Sequence, residues 1–211
     1  MKPIDGGLVK KLISPILPYD AELEYLESSG TQYINLGIVP NVDDYVEMKF
    51  QTKNTSPSTT VSWYGYMHSS ILPRFSMGLY SLGFFCGVNV TVTIGAYDRN
   101  PHTCAFQSLD SSRFRLMFDG VESTVEQAHP LTAIPSPAYL FSRNSENGVG
   151  TRDGLGTRIW YFKQSDASGN ARIDLIPVRV GNVGYMYDKV SGRLFGNIGT
   201  GDFILGNDKN V

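Results

Sequence analysis

The chain has 211 residues, 18% of them charged, and a formal net charge of −2. That balance supplies no field to gather a polyanion, so it excludes charge-driven binding of nucleic acid or an anionic membrane. Twenty-two Gly, eleven Pro and 12% aromatics describe short strands joined by tight turns. The length suits one all-β domain that buries its core without disulfides or metals.

Residues 1–20 stand apart from the rest. Val9, Leu12, Ile13, Ile16 and Leu17 have helical spacing, but Pro15 lies inside the pattern and would break a helix. The stretch reads as an extended or partly helical arm. Its apolar side chains either pack on the domain that follows or dock on a partner subunit, because exposed apolar arms seldom stay unpaired. Lys10, Lys11 and Pro15 interrupt the run and no small-residue cleavage site follows, so it does not read as a signal peptide. If Met1 is the native start, the protein is expected to be made and assembled in a cytoplasm. No segment approaches the length of a transmembrane helix.

From residue 21 to 211 the period is two. Val46, Met48 and Phe50 alternate with Tyr45, Glu47 and Lys49. Trp63 and Tyr66, flanking Tyr64 and Gly65, form the candidate glycan platform, since sugars stack on exposed aromatic faces; core packing is the competing reading. Val88, Val90, Val92 and Ile94 share one face of an expected strand. Cys86 and Cys104 sit in apolar contexts, as buried thiols or as a cross-strand disulfide. Phe114, Leu116 and Phe118 alternate with Arg113, Arg115 and Met117, and Asp119-Gly120 invites a hairpin into Val121. Asn147-Gly148 and Ser191-Gly192 mark further turns. Arg158 to Phe162 is apolar on both faces and belongs centrally. Ile173, Leu175, Val178 and Val180 suggest two strands about Pro177, which marks an edge or a bulge. The sum is a two-sheet antiparallel jelly-roll sandwich.

Two stretches carry a family resemblance. One runs from Leu23-Glu24-Tyr25-Leu26-Glu27-Ser28-Ser29-Gly30-Thr31-Gln32-Tyr33-Ile34 to Leu36-Gly37-Ile38. The other begins at Tyr139-Leu140-Phe141-Ser142-Arg143-Asn144 and resumes at Ile159-Trp160-Tyr161-Phe162. It continues through Asp174-Leu175-Ile176-Pro177 and Gly184-Tyr185-Met186-Tyr187-Asp188 to Gly199-Thr200-Gly201-Asp202-Phe203. Together with Arg115-Leu116-Met117-Phe118-Asp119-Gly120, these resemble concanavalin A-like, laminin-G-like modules of tailed-phage virion proteins and gut bacterial surface proteins. The resemblance covers residues 22 to 206. It implies a jelly roll with a curved concave face, and ligand sites on that face or on loops at one rim. It brings no catalytic or calcium residue with it, and the fold hosts lectins, glycanases and inert structural pieces.

The sharpest enzymatic hint is Glu22-Leu23-Glu24-Tyr25-Leu26-Glu27, close to the E-x-D-x-x-E of jelly-roll glycanases of the laminarinase group. Retaining hydrolysis needs two carboxyls about 5 Å apart. In a regular strand Glu22 and Glu24 share a face and Glu27 takes the other, so a bulge would have to bring it back. The middle residue also departs from the pattern, and no catalytic residue is assigned. His68, His102 and His129 lack ligand spacing for zinc, and Asp43, Asp44 and Asp153 lack the dense oxygen set calcium needs. No cofactor is expected.

The leading expectation is a non-enzymatic structural or adhesive module of a phage virion, oligomeric within its assembly. Its arm would dock to a neighbouring subunit, and its sandwich would face outward and touch host surface polysaccharide. The alternative is a carbohydrate-binding domain of a secreted or surface-bound bacterial protein, and the third is the glycanase.

Overall fold

The computed structural model describes residues 17–53, 61–68, 73–80, 83–96, 98–145, 148–149 and 156–209. Val9, Leu12, Ile13, Ile16, Asn147 and Asp153 lie outside them. The described chain is all β. In order it forms β1 (Ala21–Glu22), β2 (Leu26–Ser28), β3 (Ile34–Asn35), β4 (Tyr45–Thr52), β5 (Val61–Met67), β6 (Arg74–Tyr80) and β7 (Gly83–Val88). Then come β8 (Val92–Ala96), β9 (His102–Ser108), β10 (Arg113–Phe118), β11 (Val121–Glu126), β12 (Tyr139–Leu140), β13 (Asn144–Ser145) and β14 (Gly148–Val149). The last five are β15 (Thr157–Ser165), β16 (Ala171–Val180), β17 (Val183–Asp188), β18 (Leu194–Phe195) and β19 (Ile204–Leu205).

The strands make two sheets. The larger runs β11-β10-β9-β4-β15-β16-β17-β18, with β1 on β16, β2 on β15 and β19 on β2. The smaller runs β14-β13-β5-β6-β7-β8, with β12 joining β3 to β5. Pairing is antiparallel except where β13 meets β5. The described chain joins the sandwich at Asp20, whose N–H donates to Arg179 O at 2.9 Å.

The core lies between the sheets. From β4 come Val46, Met48 and Phe50, all fully buried, and from β15 come Ile159 and Phe162. The smaller sheet answers with Trp63, Phe75, Leu79 and Phe84. Phe50 packs at 4.2 Å from Trp63 and 5.2 Å from Phe84, ring centre to ring centre. Burying one such side chain stabilises by roughly 1.5–3 kcal/mol. Cys86 and Cys104 are free thiols buried in this core, and burial pushes both pKa values up.

Two readings of the sequence need correction. Residues 88–94 are not one strand. Asn89 adopts a left-handed φ of 56°, which Asn tolerates, and the chain reverses between β7 and β8. The Asn89 side chain secures the reversal, accepting from Arg74 N–H and donating to the carbonyls of Pro130 and Thr132. Pro177 is neither at an edge nor at a bulge. It sits inside the ten-residue β16, opposite Met186 of β17. Its carbonyl accepts from Leu23 N–H, so its backbone polar groups point away from β17. The missing N–H costs the β16–β17 ladder nothing. It falls where the neighbour of β16 changes from β15 to β1.

The outward face of the larger sheet as candidate functional site

Strict alternation on β4 sends Tyr45, Glu47, Lys49 and Gln51 to the outward face. On β15 alternation fails, and the failure builds the site. Ile159 pairs with Phe50 and Tyr161 with Lys49, so Trp160 is an extra residue in a bulge. Ile159 and Phe162 both stay in the core. Trp160 and Tyr161, which regular pleating would place on opposite faces, both turn outward.

The outward side chains lock one another. Glu47 accepts from the hydroxyls of Tyr45 and Tyr161, each at 2.8 Å. Burial, then these hydrogen bonds, push both phenol pKa values up, so the hydroxyls remain donors. Lys163 Nζ stands 5.3 Å above the Tyr161 ring and Lys49 Nζ 5.6 Å above Trp160. Tyr25, just before β2, meets Trp160 at 5.3 Å, and the Arg158 guanidinium lies 4.2 Å over Tyr25. Arg158 is anchored in turn by Glu27, which also takes Lys53 at 2.9 Å. Burial would raise the Glu27 pKa, but the hydrogen bonds and charges of Lys53 and Arg158 outweigh it and hold it down. The result is a belt of aromatic rings, cations and carboxylates along β15 and β4.

The expected platform is displaced. Trp63 is fully buried and Tyr66 is 4% exposed, so neither offers a ring face to a ligand. A bulge between Ser62 and Tyr64 turns Trp63 and Tyr64 into the core together. The Tyr64 hydroxyl finds Gln164 at 2.9 Å, while Trp63 Nε1 has no acceptor among the described residues. Of the arm residues, Leu17 is described, 48% exposed.

The glutamates of the glycanase-like motif do not converge. Glu22 pairs in β1 against Val178, and Glu24 accepts from the Asn207 side chain. Glu27 lies in β2 with both oxygens occupied by cations. Asp44 is fully buried and accepts from Asn41 N–H, Gln164 and Arg172. Among the described residues no three His, Cys, Asp or Glu side chains gather as a metal site, and no helix is long and apolar enough to cross a membrane. Tyr45, Glu47 and Lys49 were legible as one face from their alternation. Trp160 and Tyr161 were missed, because the Arg158–Phe162 run gives no sign of its bulge.

No family model matches the chain, and no curated protein matches it in sequence. Among solved structures, the heptameric SAP-like pentraxin of Limulus polyphemus aligns at TM-score 0.51 and 12% identity, over 90% of this chain and 96% of that one. This sandwich has the same kind of fold, a two-sheet antiparallel jelly roll. Lower likenesses reach mouse laminin alpha1 domains LG4-5 (TM-score 0.48, 16% identity) and the CBM40 of Ruminococcus gnavus IT-sialidase (0.45, 14%). The first covers 76% of this chain and the second 64%. The jelly roll spans about half (47%) of the laminin fragment and 88% of the sialidase module. At 12% identity the likeness to the pentraxin establishes the fold alone.

Proposed function

We propose that this jelly roll is a non-enzymatic carbohydrate-binding module that holds a polysaccharide across the outward face of its larger sheet. The observation that carries the reading is the pair Trp160 and Tyr161, turned outward together by one bulge and braced by Tyr25, Glu47 and Lys49. Aromatic rings take the C–H faces of sugars, and neighbouring Arg, Lys and carboxylate groups take the hydroxyls.

Affinity electrophoresis through gels containing hydroxyethylcellulose, xylan or a bacterial capsular polysaccharide tests it. The unmutated protein should be retarded by at least one polymer, and Trp160→Ala should weaken retention about tenfold or more. Absence of retention on all three gels, or equal retention of Trp160→Ala, would overturn the reading.

Attachment to a larger assembly is the second part of the proposal. Val9, Leu12, Ile13, Ile16 and Leu17 would dock on a neighbouring subunit of a phage particle, or the module would stand on a bacterial surface protein. Leu17, Val180 and Val183 support an anchor at this end. All three are exposed, and Asp20 ties the chain from Leu17 to the β16–β17 hairpin through Gly181 N–H. Deleting residues 1–16 should abolish co-purification with the particle while leaving gel retention intact. Unchanged co-purification would remove the anchor.

A further inference from the structure

A concave feature lies away from the aromatic belt. At one rim, the segment after β3, the strand β16 and the β17–β18 turn enclose a cleft of about 500 Å³. That falls within the range of small-molecule sites, roughly 300–1,000 Å³. Asn35, Ile38, Arg172, Ser191, Arg193 and Ile198 line it.

Its charges are unevenly spent. Asp188 reaches the cleft, but its carboxylate is capped by the N–H groups of Asp174, Val190 and Ser191 and by the Ser191 hydroxyl. Arg172 is committed to the buried Asp44 and to Val39 O, which makes it a fixed wall. Arg193 has no carboxylate partner among the described residues. Its guanidinium lies 5.2 Å over the Phe195 ring, which orients the fork while leaving its N–H groups free. Among the described residues lining the cleft, the one unspent charge is therefore positive, on the side chain best shaped for bidentate contact with a carboxylate.

The rest of the lining suits a polyhydroxylated ring. Asn35 uses its carbonyl oxygen to accept from Gly37 N–H, leaving its amide N–H₂ as a donor. Ser191 donates to Asp188, so its oxygen still accepts. Ile38 and Ile198 supply apolar surface, Ile198 at 53% exposure.

We infer that this rim cleft is a distinct binding site for a uronic acid, a sugar ring bearing a carboxylate, with Arg193 as its anion anchor. The site is built from residues outside the aromatic belt, so it stands or falls separately from polymer binding there.

Isothermal titration and saturation-transfer NMR with glucuronate, galacturonate and neutral glucose test the inference. At least one uronate should bind saturably with a dissociation constant around millimolar, and glucose should bind at least about tenfold more weakly. Arg193→Gln should lower uronate affinity about tenfold or more, and Arg193→Lys by less, because it keeps the charge and loses the fork. Arg193 is exposed, so both variants should fold, and Arg193→Gln should keep any gel retention by neutral polymers. The inference is overturned by no saturable uronate binding, by affinity unmoved in Arg193→Gln, or by full competition from acetate at equal concentration. The last would mark a bare anion hole that ignores the sugar ring.

Discussion

His102 opens β9 with its ring nearly buried and a carboxylate on each nitrogen. Nδ1 lies 2.7 Å from Asp119 Oδ2, and Nε2 lies 2.7 Å from Asp98 Oδ1. Both nitrogens can donate only in the imidazolium. Burial pulls the ring's pKa down, but the hydrogen bonds and charges of Asp119 and Asp98 outweigh it and hold the pKa above its ordinary 6.5. Asp98 moves down through its hydrogen bond with His102. Asp119 moves down for the same reason, against its own burial. The folded state thus binds the histidine proton more tightly than the unfolded chain does. That stabilisation is fully present below the ordinary histidine pKa and is lost as pH rises through the raised one. The aspartates act oppositely: their share is present above the ordinary carboxylate pKa and is lost as pH falls through the depressed values.

Asp119→Asn isolates the charge. Position 119 has a φ of 48°, which Asn tolerates, and an amide oxygen can still accept from Thr103 N–H. The Asp119 side chain is 47% exposed, so solvent screening limits the pair to about 1 kcal/mol. Asp119→Asn should therefore destabilise by about 1 kcal/mol at about pH 6, and by much less at about pH 9, where the imidazole is neutral. Urea denaturation midpoints at the two pH values measure this, with the His102 titration followed by NMR. An equal loss of stability at both values would show that the imidazolium is not the partner.

Other substitutions separate packing from binding. Trp63→Ala should cost about 3–5 kcal/mol in thermal or urea unfolding, because a fully buried indole leaves a cavity; polymer retention below the melting point should persist. Arg172→Met should cost about 3–5 kcal/mol by stranding the buried Asp44, and loss under about 1 kcal/mol would refute that pairing. Gly78→Ala places a Cβ 2.1 Å from Val61 O, a backbone atom that cannot yield without shifting β5. It should destabilise by about 1–3 kcal/mol or more in the same assay, and a neutral effect would refute the close β5–β6 approach.

Period-two alternation was enough to read an all-β sandwich and to sort β4 and β10 into inner and outer rows, because a pleated strand sends successive side chains to opposite faces. The Asp119-Gly120 hairpin was equally legible, since turn chemistry is local. What could not be read were the places where the ladder slips. Trp63 and Trp160 look alike as strand tryptophans, yet one is core and the other lines the outward face. The bulges at Ser62/Tyr64 and Ile159/Tyr161 decide which, and they are set by strand pairing, the first against β6, the next strand in the chain, and the second against β4, far earlier in the chain. The same holds for the rim cleft. Asn35, in the smaller sheet, lies far in sequence from Arg172 and Arg193, at the β16–β18 end of the larger sheet, and meets them only when the two sheets close. Local pattern determined the regular strands, such as β4 and β10, and their faces. Strand pairing and sheet packing decided which aromatic rings reach solvent and that Arg193, at the cleft, has no carboxylate partner among the described residues.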